Sequence, residues 1–149
     1  MKAAPFSLPD QNGVIHTLSQ YEGSWLILYF YPRDDTPGCT KEACNFRDGL
    51  KVLQKRGVAV VGISKDSIAS HKKFEEKYHL TFPLLSDETK DVIKRYNAWG
   101  KKKFLGREYE GILRITYVID PTGEIKKVYE KVDPAKHADE ILKDLETFQ

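Results

Sequence analysis

The sequence is poor in sulfur, with two cysteines and one methionine in 149 residues. Two thiols cannot staple a fold of this length, and a chain this long buries a sufficient core without them. Long apolar runs are missing as well. Nothing approaches the roughly 20 residues that a membrane-spanning helix requires, so no membrane is expected as a partner. The opening residues, MKAAPFSLPD, have neither the apolar stretch of a secretory signal nor the Arg-rich character of a transit peptide. A cytoplasmic setting is therefore expected, and such a compartment keeps thiols reduced. An excess of one charge is absent too: 24 basic residues face 22 acidic ones, interspersed, for a net +2. That balance argues against nucleic acid as a partner. The densest basic run, Lys101-Lys102-Lys103, is followed only by Phe104 and reads as a solvated loop. With no repeat, linker or compositional break, one domain over residues 1–149 is expected.

What is present is a regular alternation of patterns. FSLPDQNGVIHTL holds Asn12-Gly13 between two short extended pieces, a hairpin signal because both residues tolerate positive φ. WLILYFY, from Trp25 to Tyr31, is an unbroken apolar run rich in aromatic and β-branched residues, as in a strand buried on both faces. From Pro37 to about Lys55, Ala43, Phe46, Leu50 and Leu53 recur at helical spacing, and Gly57 supplies a stop. A second buried strand, Val58 to Ser64, precedes a charged helix over Ser67 to Tyr78. A short strand at Phe82–Leu85 and a helix over Glu88 to Tyr96 follow. Ile112–Asp120 and Glu124–Val132 form a hairpin across Pro121-Thr122-Gly123, and their alternation predicts one exposed face. Asp133 caps a last helix with Ala138, Ile141, Leu142 and Leu145 on one stripe. The result is an α/β fold: a mixed central sheet flanked by helices, with an N-terminal β-hairpin. That order is compatible with a thioredoxin-like layout and with other small α/β folds.

Both cysteines fall in YPRDDTPGCTKEAC, where the first buried strand runs into a helix. The carboxyl end of such a strand is where α/β proteins place their sites. Thr36 is a good N-cap and Pro37 suits the first helical position, which makes Cys39 the third helical residue. A thiolate there meets unpaired N–H groups and the positive end of the helix dipole, and both favour ionisation. Asp34 and Asp35 oppose it, so a cation is required; Arg33 is nearest in sequence, and a distant strand can supply a better one. Cys44 lies five residues on, about 8.7 Å away between Cα atoms of an ideal helix. Disulfides are rarely made beyond about 7 Å. Joining the two therefore demands that the first turns unwind, which predicts an intact helix carrying thiols and a locally opened segment carrying the disulfide. The four histidines, at 16, 71, 79 and 137, show no zinc-type spacing with the cysteines and read as solvated side chains. Neither metal nor organic cofactor is expected. Nothing marks one histidine as the base of a cysteine hydrolase, and Cys-x-x-Cys, the usual signature of a dithiol oxidoreductase, is missing.

Pro32-x-x-x-Thr36-x-x-Cys39 is similar to the Pro-x-x-x-Thr-x-x-Cys motif of the peroxiredoxins. With Cys44 five residues on, the sequence resembles their Q branch, the bacterioferritin comigratory proteins. The likeness continues through GISKDS, FPLLSDE and ILRITYVIDPTGEI and covers nearly the whole chain. The resemblance implies a thioredoxin-like fold and a thiol peroxidase acting on hydrogen peroxide and organic hydroperoxides. Cys39 would be the peroxidatic cysteine, Cys44 the resolving cysteine and Thr36 the hydroxyl that orients the peroxide. Pro32 would shield the thiolate and Arg114 would supply the distant cation, with the Gly38 and Cys39 amides stabilising charge. It further implies thioredoxin or a glutaredoxin-like protein as reductant and favours a monomer. The alternatives are a disulfide oxidoreductase on the same fold and a redox-switch binding protein.

Overall fold

The computed structural model describes residues 1–149. Asn12-Gly13 turns the chain between β1 (Ser7–Pro9) and β2 (Ile15–Thr17), with Gly13 at φ +77°. Asp10 holds the turn by accepting the Asn12 and Val14 N–H groups.

β3 (Trp25–Phe30) explains its own composition, because both of its faces are covered. Ile27 and Tyr29, with Tyr31 beyond, enter one core; Leu26, Leu28 and Phe30 enter the other. β3 lies between β4 (Val58–Ser64), parallel to it, and β8 (Ile115–Ile119), antiparallel to it. β5 (Leu84–Ser86) and β9 (Ile125–Tyr129) complete the sheet in the order β5-β4-β3-β8-β9. The first core is roofed by α1 (Pro37–Lys55), α2 (Ile68–Tyr78) and α4 (His137–Phe148), through Phe46, Phe74 and Ile141. The second core takes Phe6 and Leu8, Val92 and Ile93 of α3 (Asp91–Arg95), and Ala98 and Ile112.

Several expectations are corrected. Lys101–Lys103 lie not in a loop but on a strand of an antiparallel hairpin, β6 (Trp99–Phe104) with β7 (Arg107–Ile112). Its charged outer face hid the strand signal. The expected strand 112–120 is broken at Leu113-Arg114, where β7 leaves the hairpin and β8 joins the main sheet. All five residues of β8 are buried, so only β9 shows the expected exposed face. α3 is five residues long, and the fifth strand begins at Leu84, after Pro83. Asp133 accepts the Ala135 N–H in a turn ahead of α4 and does not cap it; the helix begins at His137, with Lys136 at the cap position.

Candidate active site

The site is built where β3 hands the chain to α1. Tyr31 still donates its N–H to Ile63 in β4, and Asp35 then takes a left-handed conformation (φ +54°) that turns the backbone into the helix. Thr36 occupies the N-cap position in extended conformation, as expected. Its hydroxyl, however, turns back and donates to the Arg33 carbonyl at 2.8 Å instead of capping the helix. The first N–H bonded back along α1 is that of Thr40, to the Thr36 carbonyl. Gly38 and Cys39 precede it, in the turn where an α-helix leaves its donors unpaired.

Cys39 is buried at 1% exposure, and Cys44 on the same helix is half-buried; both are free thiols. The distant cation arrives from the break between β7 and β8. Arg114 donates from Nη2 to the Cys39 Sγ at 3.3 Å and from Nη1 to the Glu42 Oε1 at 2.8 Å. Burial works against the guanidinium's charge, but Cys39 and Glu42 outweigh it and hold the charge in place. Gly38 is part of this seat. A Cβ on it would stand 3.0 Å from Arg114 Nη2, so glycine lets the guanidinium lie against the first turn where a larger residue would push it back by a few tenths of an ångström. Pro32, Arg114, Lys102, Leu113, Asn97 and Glu130 line a cleft of about 600 Å³. Lys102 reaches across its hairpin to donate to the Ile112 carbonyl at 2.8 Å, and burial, followed by the Arg114 charge, lowers its pKa.

Glu42 was not expected. It stands on the buried stripe of α1, fully inaccessible, and burial raises its pKa to about 7 against the opposing pull of Arg114. The available signal was its spacing. Three residues after Cys39 and one before Ala43, a carboxylate is directed inward and must meet a cation.

The two aspartates also differ from expectation, since neither is free to oppose a thiolate. Asp34 accepts from the Tyr31 hydroxyl (2.6 Å) and Ser70 Oγ (2.8 Å) and pairs with His71 Nδ1 at 2.7 Å. Asp35 is held by Lys77 and the Tyr78 hydroxyl. His71 and His137 are therefore not solvated: both are buried, with His71 also bonded to the Leu85 carbonyl and His137 to Thr116. His16, half-buried, bridges Asp10 and Tyr21, and only His79 stays exposed. Periodicity placed these residues on polar faces, and the layers above covered them.

This geometry has counterparts in known proteins. The AhpC/TSA family model matches residues 1–128. The chain belongs to the AhpC/TSA family. Within it, the chain is 48% identical over 141 residues to a putative peroxiredoxin bcp of Coxiella burnetii, covering 95% of this chain and 93% of that one. It is 44% identical to peroxiredoxin Bcp of Escherichia coli K12, covering 94% and 90%. Against the chloroplastic peroxiredoxin Q of Sedum lineare it is 47% identical, covering 97% and 76%. Among solved structures, the bacterioferritin comigratory protein of Xanthomonas campestris, studied for alkyl peroxide reduction, superposes with a TM-score of 0.90 at 35% identity, covering 96% and 91%. This member of the AhpC/TSA family is thus a thioredoxin-fold peroxiredoxin of the Bcp/Q kind, a thiol peroxidase. The alternatives of a simple disulfide oxidoreductase and a binding switch give way to it.

Proposed function

We propose that Cys39 reduces hydrogen peroxide and organic hydroperoxides, alkyl peroxides among them, and that Cys44 resolves the product. The observation that carries this reading is the single guanidinium of Arg114, 3.3 Å from a buried thiol at a helix N-terminus. Dithiol exchange has no need of such a cation in a cleft.

The Cys39 thiolate attacks the terminal peroxide oxygen; an S–O bond forms as the O–O bond breaks. The leaving alkoxide or hydroxide takes a proton, and Cys39 is left as a sulfenic acid. Arg114, the unpaired amides of Gly38 and Cys39, and a Thr36 hydroxyl rotated from Arg33 onto the peroxide stabilise the developing charge. Pro32, at the cleft wall, restricts water. The first turns of α1 then open, the Cys44 thiol displaces the sulfenic oxygen as water, and a Cys39–Cys44 disulfide results, which blocks further oxidation. A protein dithiol of thioredoxin or glutaredoxin-like type restores both thiols and leaves as a disulfide. With both cysteines on one helix, a monomer of one domain suffices, in a reducing compartment such as the cytoplasm. No helix of the chain is long and apolar enough to cross a membrane.

The test is to mix reduced protein with one equivalent of hydrogen peroxide, quench within seconds, and count thiols and mass. Wild type should lose both thiols together, Cys44→Ser should stop at the sulfenic acid, and Cys39→Ser should be inert. Survival of both thiols, or equal slow reaction of both variants, would overturn the assignment.

A further inference from the structure

Three lysines from separate parts of the chain converge on one indole. Lys90, at the cap position of α3, places its Nζ 4.9 Å from the centre of the Trp99 ring, and Lys65, just past β4, and Lys94, on α3, place theirs at 5.7 and 5.8 Å. Cation–π attraction explains why each ammonium rests there, but not why three like charges that repel one another are gathered on a single ring. None of the three forms an ion pair, although Asp91 lies between Lys90 and Lys94 in sequence. The neighbouring basic run differs, since Lys101 and Lys103 stand opposite Glu110 and Glu108 across the hairpin. Glu110 also accepts the indole N–H at 3.4 Å. Lys65 and Lys94 are exposed, and Lys90 and Trp99 are half-buried, so the cluster faces solvent. Converging cations with no counter-charge of their own favour an anion that comes from outside.

The position of the cluster says which anion. Leu113, next to Arg114, donates its N–H to the Ala98 carbonyl at 2.7 Å, one residue before Trp99. Asp66, which follows Lys65, accepts the Asp34 N–H at 2.8 Å and so holds the loop between Pro32 and Thr36. The cluster therefore borders the active site at two points. Hydrogen peroxide is neutral and smaller than any of these side chains; the macromolecule that the cycle must bring here is the protein dithiol. We propose that Lys65, Lys90, Lys94 and Trp99 form the docking patch for that dithiol, and that the partner presents a carboxylate-rich face to it. The proposal rests on the reading that a Cys39–Cys44 disulfide forms. In the encounter one partner thiolate attacks a sulfur of that disulfide, and a mixed disulfide forms as the S–S bond breaks. The second partner thiol then releases it, so that two electrons and two protons pass to the cysteines and the partner leaves oxidised. The lysines take no part in the exchange; they raise the frequency of productive encounters. A nucleic acid fits less well, because Glu108 and Glu110 flank the patch and repel a continuous line of phosphates.

The test takes the oxidised full chain and follows its reduction by an acidic thioredoxin, with dithiothreitol as the small neutral control. Lys65→Gln, Lys90→Gln and Lys94→Gln together should lower the second-order rate with thioredoxin about tenfold at low salt, the lower end of electrostatic steering, and should flatten its decline with added salt. The rate with dithiothreitol, and the rate of the first oxidation by peroxide, should stay as in wild type. An unchanged thioredoxin rate would overturn the patch. So would an equal loss with dithiothreitol, which would place the defect in the disulfide rather than in the encounter. If the triple variant does not fold, Lys65→Gln and Lys94→Gln decide singly: each should cost about twofold with thioredoxin and nothing with dithiothreitol, and no loss from either would defeat the proposal. Binding of phosphatidylglycerol vesicles that the triple variant loses, beside an unchanged thioredoxin rate, would assign the patch to a membrane surface instead. Failure here is separate from failure of the peroxidase reading, because oxidation by peroxide and reduction by dithiothreitol judge that reading without any docking step.

Discussion

The Asn45 side chain accepts the Ala138 N–H at 2.7 Å, tying the residue directly after Cys44 to the first turn of α4. One residue further, Phe46 is fully buried in the core, and Arg47 donates to the Tyr78 carbonyl. The opening that joins Cys39 to Cys44 therefore has a natural end point at Asn45, with the remaining helix pinned to its neighbours.

Replacing Asn45 by Ala removes that pin and leaves a helix-terminal N–H unsatisfied. A loss of about 1 kcal/mol is expected, as for other caps. In a chain of this size that lowers the melting temperature by about 2–4 °C, which calorimetry checks. An unchanged melting temperature would mean that the bond carries no net stability.

Arg114→Lys keeps a positive charge but cannot span Cys39 Sγ and Glu42 Oε1 from two separate nitrogens. The rate of reaction with peroxide should fall by at least about 10²-fold, as for loss of a donor aimed at developing charge. Stopped-flow measurement of the first oxidation step isolates this effect, and a rate within a factor of three of wild type would contradict it.

Gly38→Ala separates packing from stability. Alanine is the better helix former, so the fold should not suffer through α1 itself. Its Cβ would crowd Arg114 Nη2 at 3.0 Å, so the guanidinium must shift from the sulfur. Peroxide reactivity should drop about tenfold, on the scale of a small misplacement of a reacting group. Equal activity in the two proteins would show that Arg114 does not need its seat.

His71→Leu leaves the Asp34 carboxylate buried with only the Tyr31 and Ser70 hydroxyls as partners. Breaking a buried pair from one side costs about 3–5 kcal/mol. Urea unfolding should show a loss of that order, and Asp34→Asn added to it should recover part. Failure of the second change to recover anything would assign the damage to the cavity rather than to the charge.

Asp120 predicts an acid limb. Burial tends to raise its pKa, but bonds from Thr122, Glu124 and Lys126 outweigh this and bring it down to about 2 from 3.8. A depressed carboxylate stabilises the fold above its ordinary value, and the contribution disappears as pH falls through about 2. The stability difference between wild type and Asp120→Asn should thus be constant above pH 4 and shrink to nothing near pH 2. Urea curves at pH 6, 3 and 2 would reveal a difference independent of pH if the turn contributes nothing.

The sequence by itself determined most of the frame, because periodicity and turn chemistry are local. Trp25–Tyr31 could only be a strand covered on both sides, Pro37–Lys55 an amphipathic helix, and Cys39 a thiol in that helix's first turn. It also required a distant cation, and similarity of the segment around Arg114 to a known pattern pointed to one. Tertiary structure decided what depends on layers meeting. It broke the expected strand at Leu113-Arg114, so that Arg114 projects over Gly38 rather than lying in a ladder, and it folded 99–112 into a hairpin whose charged face had concealed it. It also buried His71, His137 and Glu42, which local pattern had read as solvent-facing or left unremarked. A side chain's helical or strand position is set by its neighbours in sequence; its dielectric surroundings and its partners are set by whatever packs above it, and those residues lie 37, 21 and 72 positions away.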